Sequence, residues 1–77
     1  MNRIYIIEAI SAMLEDIFRH SMTFPYREEL EAFFQPEEFD LFCDMIQQEF
    51  NLENNTILET AETLNELIAL LEEELFF

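Results

Sequence analysis

The sequence contains no glycine, no tryptophan, one cysteine and only three basic residues among its 77 positions. The lack of glycine excludes the glycine-rich loops that hold phosphate groups, the dinucleotide-binding fingerprint and the usual calcium-binding loop. A single cysteine excludes an internal disulfide and any zinc site built from several cysteines. Three bases against 18 acids exclude a protein that binds nucleic acid directly by neutralising phosphates, and they disfavour attachment to an anionic membrane.

The chain also lacks any apolar run near the roughly 18 residues of a membrane-spanning helix. It has no N-terminal stretch that resembles a secretion signal. Its 77 residues correspond to one domain at most, and an apolar fraction of 51% supplies the core of that domain. We therefore expect one soluble, cytoplasmic domain over residues 1–77.

The acidic residues are concentrated in one part of the sequence. Residues 1–27 contain three acids and three bases, whereas residues 28–77 contain fifteen acids and no base. The formal net charge of −15 is therefore carried entirely by the last 50 residues. Such an excess of charge is either a solubility feature or a surface adapted to a basic partner.

Apolar residues recur at helical spacing in three segments, and no segment alternates in the way that a β-strand does. We predict long helices near residues 2–20, 36–50 and 62–75, with one or two short helical turns between them. The predicted fold class is all-α, a small bundle of three main helices plus one or two short ones.

The helix starts and the core follow from the same pattern. Pro36 suits the first turn of the second long helix, and Thr63 with Glu66 has the spacing of a capping box before the last one. The predicted core comprises the residues on the apolar stripe of each helix. These are Ile7, Ile10, Leu14, Ile17, Phe39, Phe42, Ile46, Phe50, Leu64, Leu67, Ile68 and Leu71.

The order of these elements and three segments of the sequence resemble the acyl carrier and peptidyl carrier proteins. The segments are residues 27–30 (REEL), 36–53 (PEEFDLFCDMIQQEFNLE) and 63–75 (TLNELIALLEEEL). The resemblance implies a carrier-like bundle whose acidic second helix docks on basic proteins. Carriers hold phosphopantetheine on a serine in an Asp-Ser-Leu motif, and the matching positions here are Gln35, Pro36 and Glu37. We therefore expect no prosthetic group and no other cofactor.

The remaining residues give no catalytic constellation and no metal site. Cys43 falls on the apolar stripe of the second helix, as a core residue does, and His20 lies at the end of the first helix. A nucleophile requires a base within hydrogen-bond reach, and nothing in the sequence brings these two residues together. The acidic run at residues 72–74 suits only weak association with divalent ions, so we expect neither enzymatic activity nor a bound metal.

The acidic second helix is the expected binding surface. Its outer positions combine four acids with two apolar residues: Glu37, Glu38, Asp40, Leu41, Asp44 and Met45. The acids attract a basic protein, whereas the two apolar side chains supply the desolvated contact from which affinity generally comes. The rival surface is the last helix, with Glu66, Glu72, Glu73, Phe76 and Phe77.

The sequence therefore favours a non-catalytic interaction module with a carrier-like fold that docks on a basic protein partner. Two alternatives stay open. One is an anionic inhibitor, either a nucleic-acid mimic or an immunity protein, that blocks a basic site. The other is a functional acyl carrier with an unconventional attachment site, for which Ser11 and Ser21 are the only serines in the chain.

Overall fold

The computed structural model describes residues 3–21 and 23–75. These residues form five α-helices and no strand. The helices are α1 (Arg3–Phe18), α2 (Leu30–Phe33), α3 (Pro36–Phe50), α4 (Thr56–Thr60) and α5 (Leu64–Leu75). The three long helices α1, α3 and α5 confirm the predicted all-α bundle. None of the helices in the described ranges has both the length and the hydrophobicity that crossing a bilayer requires.

The first two long helices end at residues with left-handed backbone conformations. α3 begins at Pro36 and ends at Phe50 as predicted, and the next residue, Asn51, has a φ of 55°. α1 ends earlier than predicted, because Arg19 has a φ of 64° and its N–H donates to the Glu15 carbonyl at 2.8 Å. The first two positions of the chain lie outside the described residues.

Thr63 caps the last helix, which begins at Leu64 rather than near residue 62. The Thr63 hydroxyl accepts a hydrogen bond from the Glu66 N–H at 3.2 Å, which is one half of the predicted capping box. The Glu66 carboxylate accepts instead from the Glu62 N–H at 2.9 Å, one residue earlier than the box requires. Two backbone N–H groups at the start of α5 are therefore satisfied by side chains.

One apolar cluster is shared by all parts of the bundle. Each long helix contributes four buried residues: Ile6, Ile10, Met13 and Leu14 from α1, Phe42, Cys43, Ile46 and Phe50 from α3, and Leu64, Leu67, Ile68 and Leu71 from α5. The short segments contribute Leu30, Phe34, Leu58 and Ala61. No polar or charged residue in the described ranges is buried.

Nine of the twelve predicted core residues are buried, and the prediction was wrong for Ile7, Ile17 and Phe39. These three side chains are half-buried and pack against the edge of the cluster. Ile6 occupies the centre of the buried face of α1, so a rotation of about 100° per residue places Ile7 at the side. Ile17 and Phe39 lie in the last turn of α1 and the first turn of α3, at the ends of their helices.

Aromatic rings connect the residues around α2 to the long helices. The ring of Phe34 stacks on that of Phe42, with centroids 4.8 Å apart. It also stacks on the ring of Phe18 at 5.6 Å, so it joins α3 to the end of α1. Such pairs stabilise the fold beyond the burial of their surface.

Backbone contacts attach the start of α2 to the connection between α4 and α5. The Leu30 N–H donates to the Glu62 carbonyl at 2.8 Å. Glu29 and Thr63 form one isolated antiparallel bridge, which does not extend into a strand. The acidic segment around Glu29 therefore lies beside the acidic segment around Glu62.

We expect Phe42→Ala to lower the free energy of unfolding by about 3–5 kcal/mol, or to leave the protein unfolded, because the Phe42 side chain is fully buried. Leu41→Ala is the matched control, since the neighbouring Leu41 is 49% exposed and its loss should change stability by about 0.5 kcal/mol or less. Urea unfolding followed by circular dichroism measures both variants. Equal losses would contradict the orientation of α3.

Candidate docking face on helix α3

Leu41 lies at the centre of the solvent-facing side of α3. It is 49% exposed, although the next residue along the chain is fully buried. Residues three and four positions away on a helix are surface neighbours, and at these positions around Leu41 stand Glu37, Glu38, Asp44 and Met45. The helix therefore surrounds an exposed leucine with three acids and a methionine. Together with Asp40, these residues form what we call the docking face.

The six residues of the docking face differ in their exposure. Glu38 and Met45 are half-buried, and the other four are exposed. The Glu38 carboxylate accepts a hydrogen bond from the Gln35 N–H at 2.8 Å, so it caps the start of α3 in addition to carrying charge. The sequence prediction treated all four acids alike, whereas the structure gives Glu38 a local partner.

Met45 faces a groove between α3 and α1. It packs against the core, and it lines the groove together with Ala9, Ala12 and Met13 of α1. A methionine side chain is flexible and adapts to irregular surfaces. Its position places an adaptable apolar contact beside Leu41.

The exposed acids of the docking face have no counter-ions among residues 3–21 and 23–75. The carboxylates of Glu37, Asp40 and Asp44 make no hydrogen bond or ion pair with another residue in the described ranges. The one ion pair recorded among those residues joins Arg3 to Glu72, which connects α1 to α5. The negative charge of α3 is therefore available to an external partner.

The rival surface on α5 is partly occupied by contacts within the protein. Glu66 accepts a hydrogen bond from a backbone N–H, and Glu72 pairs with Arg3. Phe76 and Phe77, the apolar part of this surface, lie outside the described residues. In the described part of the chain, α3 thus presents more carboxylates without partners than α5 does around its predicted contact residues.

Cys43 is buried beneath one side of the docking face. Burial is the largest of the effects that raise the pKa of its thiol to about 11, and the nearby charges of Asp40, Asp44 and Glu59 add to it. Three carboxylates that act on the same thiol lie on the same side of the molecule, so the acids of α3 and α4 form one negative region. A thiol that stays protonated is a poor nucleophile.

His20 does not provide a base for this thiol. It is exposed in the loop after α1, beyond the end of the helix, and its Nδ1 lies 3.1 Å from the Ser21 carbonyl oxygen. No hydrogen bond joins it to Cys43. No group of three or more His, Cys, Asp or Glu side chains in the described ranges could hold a metal ion.

One contact beside the docking face did not follow from the sequence. The Tyr5 hydroxyl of α1 donates to the Glu49 carboxylate at 3.0 Å, and its ring meets that of Phe50 edge-on at 6.3 Å. The hydrogen bond and the charge of Glu49 raise the pKa of Tyr5 above its ordinary value. Only the packing of α1 against the end of α3 brings these residues together, and no spacing within one helix signals it.

No protein-family model, curated protein or solved structure matches this chain. Nothing in these comparisons bears on the resemblance to carrier proteins. Any function therefore has to be inferred from the chemistry of the surface.

We expect the folded protein to protect Cys43 from thiol reagents. An unfolded thiol ionises near pH 8.5, whereas the pKa of this thiol in the folded protein is about 11. At about pH 8 the folded protein should react with an aromatic disulfide reagent on the order of 100-fold more slowly than the protein in urea, and its rate should keep rising well above pH 9. Equal rates in the two states would contradict the burial of this side chain.

Proposed function

We propose that this protein is a non-catalytic interaction module that docks on a basic protein partner through α3. The observation that carries the proposal is the exposed Leu41 surrounded by carboxylates that find no counter-ion in the described part of the chain. Residues 28–77 contain no base that neutralises these carboxylates from the same segment. The surface thus combines long-range attraction for a basic protein with an apolar anchor at its centre.

A carrier-like arrangement belongs to the same proposal. The long α1, the short α2, the acidic α3, the short α4 and the Thr-capped α5 follow the order that the resemblance implies, which supports it. At the position of the carriers' modified serine, α3 begins with Pro36, whose side chain has no hydroxyl group. The proposed module keeps the docking helix of a carrier without its prosthetic group.

Charge reversal tests the docking face. Asp40→Lys with Asp44→Lys should slow association with the native partner about tenfold or more at low salt and reduce the salt dependence of the association rate, because charges at the rim steer the encounter. Met45→Ala should mainly speed dissociation, because it removes an apolar contact. Surface plasmon resonance at two salt concentrations, with a partner purified from the native host by affinity capture, measures both rates.

The matched control reverses the same amount of charge on α5. Glu73→Lys with Glu74→Lys changes two exposed acids away from the docking face. An equal effect of this control would show that total charge, rather than the docking face, governs binding. If the α3 variants still bind while removal of residues 72–77 abolishes binding, the interface lies on α5 and the proposal fails.

In the alternative function, the same negative charge lets the protein act as an anionic inhibitor that blocks a basic site. A net charge of −15 along a longest dimension of 33 Å corresponds to about one charge per 2 Å, close to the roughly 1.7 Å per charge of duplex DNA. A nucleic-acid mimic shares its site with DNA, so duplex DNA should displace it from the purified partner. A module that docks elsewhere should instead form a ternary complex with the partner and DNA.

A mass measurement tests whether the protein is a functional carrier. Ser11 is half-buried within α1, and the exposed Ser21 donates its hydroxyl hydrogen to the Glu15 carboxylate at 3.2 Å. Neither serine begins an acidic helix, which is where carriers hold their prosthetic group. Incubation with coenzyme A and a broad-specificity phosphopantetheinyl transferase should leave the intact mass unchanged. A gain of one phosphopantetheine would replace the proposed function with that of a carrier.

A further inference from the structure

A second acidic surface, with a mixed polar and apolar lining, lies outside the docking face. A cleft of about 480 Å³ opens between α2, the start of α3 and α4. Its floor includes Leu30, Phe39 and Leu58. Its walls carry four glutamates: Glu29, Glu31, Glu59 and Glu62. We call this site the acidic cleft.

The acidic cleft is formed by parts of the chain that are fixed to each other. The hydrogen bond from the Leu30 N–H to the Glu62 carbonyl joins its two walls, and the bridge between Glu29 and Thr63 lies beside it. In the floor, Leu30 and Leu58 are 2% and 1% exposed, so they belong to the core at the same time. A ligand therefore meets a preformed site and loses little affinity to reorganisation.

The four carboxylates of the acidic cleft make it complementary to a cationic ligand. All four glutamates are exposed, and their carboxylates have no hydrogen-bond or ion-pair partner among the described residues. Like charges around one opening repel each other, and a bound cation relieves that repulsion. The carboxylates do not converge on one point, since no three acids in the described ranges could hold a metal ion. The complementary ligand is thus an extended cation with an apolar stem.

We propose that the acidic cleft binds an arginine side chain from a basic, amphipathic segment of the protein partner. The aliphatic stem of arginine packs on an apolar surface while its charged end stays at the rim. Its planar guanidinium has five N–H donors, which reach carboxylates on separate walls, whereas a lysine ammonium is a compact point charge. This inference rests on the proposed function and deepens it by naming the residue that anchors the partner.

The acidic cleft and the docking face are continuous. Phe39 in the floor of the cleft directly precedes Asp40 of the docking face, and Asp40 and Glu59 both raise the pKa of the Cys43 thiol. A rotation of about 100° per residue along α3 places Asp40 between Phe39 of the cleft and Leu41. A segment anchored by arginine in the cleft extends along α3 onto the docking face without leaving the negative region.

The test uses a blocked, helical twelve-residue peptide with arginines on one face and leucines on the other. Matched peptides carry lysine, or the neutral isostere citrulline, in place of every arginine. Titration of the arginine peptide into the full, ¹⁵N-labelled protein at physiological ionic strength should shift the amide resonances of residues 29–31 and 59–62. The arginine peptide should bind at least about threefold more tightly than the lysine peptide, and the citrulline peptide should leave the spectrum unchanged. Equal affinity of the arginine and lysine peptides would overturn the assignment to arginine.

Paired variants locate the site. Glu59→Gln with Glu62→Gln should weaken binding of the arginine peptide at least about fivefold, because it removes two charge-assisted hydrogen bonds. Glu73→Gln with Glu74→Gln removes the same charge from exposed positions on α5 and should change the affinity less than about twofold. Melting temperatures establish that both variants fold. An equal loss in the two variants would overturn the acidic cleft in favour of a general charge effect.

The peptide titration tests the acidic cleft and the charge-reversal experiment tests the docking face, so either hypothesis can be rejected without the other. If charge reversal at Asp40 and Asp44 slows binding of the native partner while the arginine peptide leaves residues 29–31 and 59–62 unshifted, the acidic cleft is overturned and the docking face stands. If the peptide shifts those residues while charge reversal leaves partner binding intact, the docking face is overturned and the acidic cleft is supported as a site for arginine.

Discussion

Burial of one apolar cluster holds together a chain whose charge opposes compaction. A domain of 77 residues buries a limited share of its surface, and a net charge of −15 adds repulsion to the folded state. The cluster contains no polar or charged residue from the described ranges, and the stacked rings of Phe34 and Phe42 tie a short segment into it. Every described carboxylate is kept out of the interior. The acids therefore lie on those faces of the helices that do not pack into the cluster.

The long helices could be predicted from the sequence because each of them carries an apolar stripe at helical spacing. Pro36 and Thr63 mark helix starts, and the apolar stripe of α3 separates the buried face from the exposed Leu41. The two short helices were predicted only as one or two helical turns without bounds, because four or five residues are too few to show a period. Leu30 and Leu58 are nevertheless almost fully buried, since the long helices close over them.

The two candidate binding surfaces also differ in whether they could be predicted from the sequence. The docking face lies on one helix, where spacing alone fixes the neighbours of Leu41, and so its composition could be predicted. The acidic cleft combines residues 29–31 with residues 59–62, which the hydrogen bond between Leu30 and Glu62 holds side by side. No periodicity relates two segments so far apart in the chain, and the cleft therefore becomes visible only in the folded structure.

The placement of the few bases decides which acids remain for a partner. Arg3 pairs with Glu72 and donates to Asn65, so α1 contributes its cation to α5. Arg19 and Arg27 are exposed in the segment between α1 and α2, and neither makes an ion pair within the described residues. The side formed by α3 and α4 has no base of its own, and in the proposed function its field orients a basic protein before any contact forms. In the proposed complex, charge selects the face at long range, and the apolar anchor then slows dissociation.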